Sequence, residues 1–167
     1  AIYQVIQHEG AALDSEISIP VVNATLDISS VVSQTPFSLT SSAATSSTSD
    51  ALPPIILIGR PTSSTLAADW FQVEYDALVE SDKLVISPRE ALRPATQYVL
   101  VATDTILTSE KKAIGSAPYT KLLLNDTAIT ASGDLNAASA EKLERERNRL
   151  ADAKSVLGVA FPPVTSD

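Results

Sequence analysis

The feature that most constrains the fold of this chain is a series of short apolar runs, each bounded by proline or by polar turn residues. Residues 55–59 read IILIG, and they lie between Pro53–Pro54 on one side and Pro61 on the other. Apolar runs of this length between turn signals are typical of buried strands. Because proline interrupts helices and sheet ladders alike, the chain must turn at short intervals. The pattern therefore predicts a fold built mostly from short strands.

Other segments fit the same interpretation. Residues 1–8 (AIYQVIQH) would carry apolar side chains on both faces if extended, which favours a strand covered on two sides. Residues 71–76 alternate apolar with polar side chains, which predicts one half-exposed strand. Turn signals recur about every ten residues, and this spacing predicts an antiparallel sandwich. The remaining strand candidates are residues 16–20, 21–32, 83–87 and 97–103.

A different pattern begins after Gly133. Ser139 can cap a helix, and Gly158 can end it in the left-handed conformation. We therefore predict one helix over about residues 139–157, lying on the sandwich, and a single domain over residues 1–167. A narrow apolar stripe would face the sheet, at Leu143, Leu150, Ala153 and Leu157. Spacings of three or four residues predict side-chain pairs on its charged side, Glu141 with Arg145, Glu144 with Arg147 and Glu146 with Arg149.

The residue inventory excludes most catalytic and metal sites. The chain has no cysteine, which rules out disulfides, thiolate metal sites and cysteine nucleophiles. It has one histidine, His8, so a serine–histidine site could form only there. The five glycines are too far apart for a phosphate-binding loop or a G-x-S-x-G turn. We predict no catalytic, cofactor-binding or metal-binding residues, and a chain that is not itself an enzyme. The alternative is that the chain is the non-catalytic part of a longer secreted hydrolase.

Charge and composition bear on partners and compartment. Residues 1–80 hold nine carboxylates against one cation, Arg60, so the net charge of -8 lies in the first half of the chain. An acidic surface repels phosphates, which argues against a nucleic-acid partner. The longest apolar stretch, residues 51–58, falls far short of the roughly 20 residues of a membrane helix, so no membrane insertion is expected. Thirty-six serines and threonines and the absence of cysteine favour a secreted or cell-surface protein.

The first eight residues contain a candidate surface for self-association. Pro162 and Pro163 hinder a closing strand at the other end of the chain, which would leave the sandwich with an open edge. An open edge invites strand addition from another molecule, and repeated addition would make a polymer. The alternative is that the strand pairs within its own sandwich. The candidate strand-exchange residues are Ile2, Tyr3, Val5 and Ile6.

Individual residues also suggest two further kinds of site, a sugar-binding site and glycosylation sites. Trp70 and Tyr75 could stack on a sugar, although a tryptophan next to a core strand is more often a packing anchor. Asn23 and Asn125 each begin an N-x-T sequon and are candidate glycosylation sites.

Part of the chain resembles a known family. Residues 83–106 resemble the second half of bacterial Ig-like domains of surface-layer proteins and secreted enzymes, in which an apolar strand ending in proline leads to an L-x-P-x-T-x-Y turn. Here that turn consists of Leu92, Pro94, Thr96 and Tyr98. Residues 17–31 resemble the opening of the same domains, where an I-P-hydrophobic strand precedes an L-D-x-x-S turn. Here that turn contains Leu26, Asp27 and Ser30.

A helix after the Ig-like core is similar to the N-terminal region of extracellular bacterial lipases. The resemblance implies an Ig-like antiparallel β-sandwich with one C-terminal α-helix. We predict a non-catalytic extracellular structural or accessory module with a protein partner. The alternatives are a self-assembling surface filament or pilus subunit joined by strand exchange, an accessory domain of a secreted lipase, and a carbohydrate-binding module.

Overall fold

The computed structural model describes residues 2–4, 16–21, 24–31, 54–80, 83–115, 122–123, 125–133 and 135–157. These residues form a mainly β structure with two small antiparallel sheets and one C-terminal helix. The predicted mainly β class and the C-terminal helix are therefore confirmed. In chain order, the elements are β1 (Ile2–Gln4), β2 (Ile17–Pro20), α1 (Ile28–Val31), β3 (Ile55–Pro61), a 3-10 turn (Ala67–Asp69), β4 (Phe71–Gln72), β5 (Tyr75–Glu80), β6 (Lys83–Pro88), β7 (Thr96–Ala102) and α2 (Ala137–Leu157).

The strands form one sheet of four and one of three. The four-stranded sheet has the order β1-β7-β3-β4, and the three-stranded sheet has the order β2-β6-β5. Every pairing within both sheets is antiparallel. The longest ladder joins β3 to β7 over seven residue pairs, from Ile55 opposite Ala102 to Pro61 opposite Thr96. These two strands are the centre of the fold.

One apolar cluster lies between the two sheets. Ile55 and Leu57 of β3 and Leu100 of β7 share it with Leu84 and Ile86 of β6. Because side chains alternate along a strand, Ile55 and Leu57 of β3 and Leu100 and Ala102 of β7 face this inner cluster. Its buried members are Ile17, Leu26, Val31, Ile55, Leu57, Val73, Tyr75, Leu84, Ile86, Leu100, Ala102 and Ile106.

A second apolar cluster covers the other face of the four-stranded sheet. Ile56 and Ile58 of β3 pack here with Leu143 and Leu150 of α2. The described chain is thus layered as three-stranded sheet, four-stranded sheet and helix. The buried members of this helix cluster are Ile56, Ile58, Trp70, Val99, Val101, Leu123, Leu143, Leu150 and Ala153.

The predicted helix is confirmed, but it begins earlier than Ser139. The Asn136 side-chain oxygen accepts a hydrogen bond from the backbone N–H of Ser139 at 2.9 Å, so Asn136 is the cap. The predicted ion pairs are present between Glu141 and Arg145, Glu144 and Arg147, and Glu146 and Arg149. Gly158 and the Leu157 side chain lie outside the described residues. None of the described helices combines the length and the apolar character that a bilayer crossing requires.

The strand predicted over residues 21–32 is wrong in its described part. Residues 28–31 form α1, and Leu26 makes only an isolated bridge to Thr108. The reason lies in Asp27, whose carboxylate accepts the backbone N–H of Ser29 at 3.0 Å, while its carbonyl accepts that of Ser30 at 3.0 Å. Such local hydrogen bonds offer the backbone a turn in place of a sheet ladder.

The single strand predicted over residues 71–76 is two strands in different sheets. The Val73 N–H still bonds to the Leu57 carbonyl of the four-stranded sheet at 2.8 Å. The next residue, Glu74, accepts instead from the Arg89 N–H at 3.0 Å, beside the three-stranded sheet. The chain therefore crosses between the sheets within one residue, and β5 continues to Glu80, beyond the predicted end of the strand.

Candidate functional site

The first candidate site is the edge of the four-stranded sheet where β1 lies beside β7. The two strands are antiparallel, with Ile2 opposite Ala102, Tyr3 opposite Val101 and Gln4 opposite Leu100. β7 is the only strand neighbour of β1 among the described elements. The structure thus brings two of the four candidate strand-exchange residues to this edge. The other two, Val5 and Ile6, lie outside the described residues.

β7 is a core strand, although only the three-residue strand β1 lies between it and the edge of the four-stranded sheet. Its residues Val99, Leu100, Val101 and Ala102 are each 1–2% exposed. The ladder with β1 covers the last three of them. Along residues 96–99, no strand of the described chain lies on this side of β7. We call this side of β7 the β7 edge. Here a buried strand is paired over only part of its length, by the three residues of β1.

The corner before β7 is fixed by Tyr98. Its hydroxyl accepts a hydrogen bond from the backbone N–H of Arg93 at 2.6 Å. Its ring meets the Phe71 ring edge to face, with the centroids 6.4 Å apart, and the Arg93 guanidinium lies 4.5 Å above Phe71. The L-x-P-x-T-x-Y turn found in the sequence therefore ends in a hydrogen bond that closes the corner on itself.

Trp70 and Tyr75 are both buried and lie in different clusters. Trp70 belongs to the helix cluster, and Tyr75 belongs to the inner cluster. The Tyr75 hydroxyl donates to the Ile55 carbonyl at 2.6 Å, and burial raises the pKa of Tyr75 to about 12. The four-stranded sheet separates the two rings, so they do not form a common exposed surface on which a sugar could stack.

Arg60 is a buried cation that the sequence reasoning did not place. Its guanidinium lies 4.8 Å from the centre of the Trp70 ring, and its Nη2 is 3.0 Å from Asp152 Oδ2 of α2. The Arg60 Nε and the Trp70 Nε1 are buried without a hydrogen-bond partner in the described part of the chain. The alternation of side chains along β3 could have predicted this position, because Arg60 lies on the same face of the strand as Ile56 and Ile58. This contact ties the end of β3 to the helix.

The exposed carboxylates of Glu74 and Asp76 share one arginine. Arg89 Nη2 lies 2.8 Å from Asp76 Oδ1, and its Nη1 lies 3.7 Å from Glu74 Oε2. The Asp76 carboxylate in turn raises the pKa of Arg89. The described residues contain no group of three or more histidine, cysteine, aspartate or glutamate side chains that could hold a metal ion. His8 lies outside them.

Glu144 joins α2 to the loop that precedes it. Its Oε2 accepts the backbone N–H of Ile129 at 2.8 Å and the Nε of Arg147 at 2.8 Å. The Arg147 guanidinium, followed by the Ile129 N–H, lowers the pKa of Glu144 to about 2. A parallel case is Asp27, where the Lys111 ammonium, followed by Ser29, lowers the pKa of the carboxyl to about 2.

Of the two sequons, only that of Asn125 lies in the described residues. The Asn125 side-chain oxygen accepts from the Thr127 N–H at 3.1 Å, and the intervening Asp126 pairs with Lys154 of α2 at 2.8 Å. The loop is thereby held against the helix while Asp126 itself stays exposed. Asn23 lies outside the described residues.

We compared the chain with protein-family models, curated proteins and solved structures, and no match was found. The features that bear on function are therefore the β7 edge, the Tyr98 corner and the packing of the layers.

Proposed function

We propose that the chain is an Ig-like β-sandwich module with a non-catalytic structural or accessory role, in a secreted or cell-surface protein. The observation that supports it best is the corner at Tyr98. In Ig-like domains a tyrosine near the start of strand F returns its hydroxyl to the backbone a few residues upstream. Tyr98 lies near the start of β7 and bonds to Arg93 in the same way.

The strand order supports the same proposal. The three-stranded order β2-β6-β5 corresponds to strands B, E and D of an Ig-like domain, and the run β4-β3-β7 corresponds to strands C′, C and F. In that correspondence the place of strand G, beside strand F, is occupied by β1. The first strand of the chain thus closes a sheet that the last strand of an Ig-like domain would close.

The packing of the layers also supports a structural role. Both faces of the four-stranded sheet are covered, one by the inner cluster and one by the helix cluster. Contacts with other molecules are therefore left to the edges, the loops, the charged side of α2 and the outer face of the three-stranded sheet, where Leu78 is 59% exposed. Spacing and presentation of neighbouring domains are functions that such surfaces serve.

The proposed lack of catalysis is tested with the purified full chain and a panel of fluorogenic ester, glycoside and peptide substrates. We expect no turnover above the buffer rate. The control variant is His8→Ala, because a serine–histidine site in this chain could be built only around that residue. Turnover that is lost in His8→Ala would contradict the proposal.

The proposed location is tested by labelling intact source cells with a membrane-impermeant amine reagent. Lys111 and Lys112 have side chains 69% and 76% exposed, so the folded chain offers reactive amines. We expect labelling before lysis, with an abundant cytoplasmic protein of the same cells as the negative control. A chain that is labelled only after lysis would show that the location is wrong.

A further inference from the structure

We propose that β1 is exchanged between copies of this chain, so that Ile2–Gln4 of one copy pairs with the β7 edge of another. This inference deepens the structural role proposed above and rests on it, because it names a second copy of the chain as the partner of the module. Three features of the chain support it: the acceptor edge, the donor strand and the length of chain that follows the donor strand.

The acceptor is a strand that requires a cover. Residues 99–102 are almost completely buried, and their neighbour β3 occupies only one side of β7. Removing β1 would turn this core strand into an edge with unpaired N–H and C=O groups, which is a template for strand addition. The β7 edge therefore has to hold a strand, whichever copy supplies it.

No later segment of the described chain supplies that strand. After β7, the chain turns back through a bridge between Leu107 and Ala113 and pairs with Leu26 through Thr108. It then continues to α2, which covers the face of the sheet and not its edge. Within the described ranges, β1 alone lies at the β7 edge.

The donor is a short strand with a long connection to the next strand. β1 has three residues and pairs with a single strand. Twelve residues, 5–16, separate it from β2. An extended chain of that length spans up to about 40 Å, which exceeds the diameter of a small domain of roughly 30 Å. The connection is therefore long enough for β1 to reach a neighbouring copy.

Exchange of this kind allows two types of assembly. The donor surface of β1 differs from the acceptor surface of β7, so each contact is heterologous. Successive exchange would join copies head to tail, whereas two copies that exchange reciprocally would close into a dimer.

The absence of cysteine from the chain permits a direct test. Two differently tagged full-length variants, Ile2→Cys and Ala102→Cys, are unfolded together, refolded together and then oxidised. Ile2 and Ala102 are opposite in the ladder, so a strand supplied by the other copy brings the two thiols together. Because Ala102 is 2% exposed, chance collisions between folded copies do not reach its thiol. We expect a mixed disulfide that joins the two tags.

The control replaces the acceptor variant with Leu78→Cys, a residue of β5 that is 59% exposed and lies in the other sheet. The yield of mixed disulfide with Ala102→Cys should exceed the yield with Leu78→Cys. An equal or lower yield would overturn the exchange. If Ala102→Cys does not fold, Tyr3→Cys with Val101→Cys tests the next pair of the same ladder.

The double variant Ile2→Cys, Ala102→Cys carries both thiols on one chain, so the size of its disulfide-linked products shows which assembly the exchange forms. A disulfide-linked dimer or a ladder of higher multiples supports exchange, and a product that is cross-linked only within single chains at every concentration overturns it. Failure of these experiments leaves the structural role intact, because that role is judged by the substrate panel and by surface labelling.

Discussion

At the scale of single residues, the corner before β7 depends on a glycine. A Cβ atom at Gly59 would lie 2.8 Å from the rings of both Phe71 and Tyr98, closer than side chains pack. The missing side chain lets the two rings close over β3, and this position allows Tyr98 to reach Arg93. Glycine in a strand often marks such a close approach.

Tyr98→Phe removes the hydrogen bond that the hydroxyl accepts from the Arg93 N–H, together with the longer one, at 3.4 Å, that it donates to the Arg93 carbonyl. The ring and its contact with Phe71 are retained, and the Arg93 N–H loses its acceptor. The free energy of unfolding should fall by about 0.5–1.5 kcal/mol, the net contribution of a typical hydrogen bond. Urea denaturation measures the change, with Tyr98→Ala as the comparison that also removes the ring. A Tyr98→Phe variant as stable as the parent would mean that the ring alone holds the corner.

Glu144 makes stability depend on acid. Its pKa in the folded chain is about 2, against an ordinary value of 4.5, so the unfolded chain takes up the proton first as the pH falls. The contribution of Glu144 is therefore complete above about pH 4.5 and is lost as the pH falls toward about 2. In Glu144→Gln this contribution is absent. The free energy of unfolding of the variant should therefore fall less than that of the parent as the pH is lowered from about 4.5 to about 2.

Denaturation at a series of pH values measures this slope. Glu141→Gln changes the net charge equally on the same helix and serves as the control. A Glu144→Gln variant with the same acid slope as the parent would show that its contacts with Arg147 and Ile129 do not stabilise the fold.

At the scale of elements, the docking of α2 can be measured at one side chain. Leu150 lies in the helix cluster and is 2% exposed, so Leu150→Ala would leave a cavity between α2 and the four-stranded sheet. The expected loss is about 2–4 kcal/mol. Leu78→Ala, at an exposed position, should change stability by less than about 0.5 kcal/mol. Similar small changes for both variants would mean that the helix is not docked.

The sequence predicted those elements whose local pattern agrees with their tertiary surroundings. β2, β3, β6 and β7 are apolar runs bounded by turn residues, and the packed stripe of α2 follows helical spacing. α1 was missed because the hydrogen bonds of Asp27 prevail over β-rich composition. The passage from β4 to β5 was missed because the alternation of Phe71, Val73 and Tyr75 continues across two sheets, and a local pattern does not report which sheet a strand joins.

At the scale of the whole molecule, the candidate surfaces were predicted only where they depend on local composition. Ile2 and Tyr3 were identified as strand residues, but their pairing with β7 joins residues about a hundred positions apart and leaves no local trace. The same holds for Arg60, whose contacts with Trp70 and Asp152 join β3 to the last helix. Long-range register is the information that one unaligned sequence lacks.

The double role of β3 has a consequence for cooperativity. Ile55 and Leu57 belong to the inner cluster, and Ile56 and Ile58 belong to the helix cluster, so one backbone segment carries both. We expect that neither cluster unfolds alone, because the loss of either one removes contacts that hold the β3–β7 ladder, and the other cluster is built on the same ladder. We therefore expect undocking of the helix and separation of the sheets to be coupled in one transition, and the amide protons of β3 to exchange with solvent only when both clusters open.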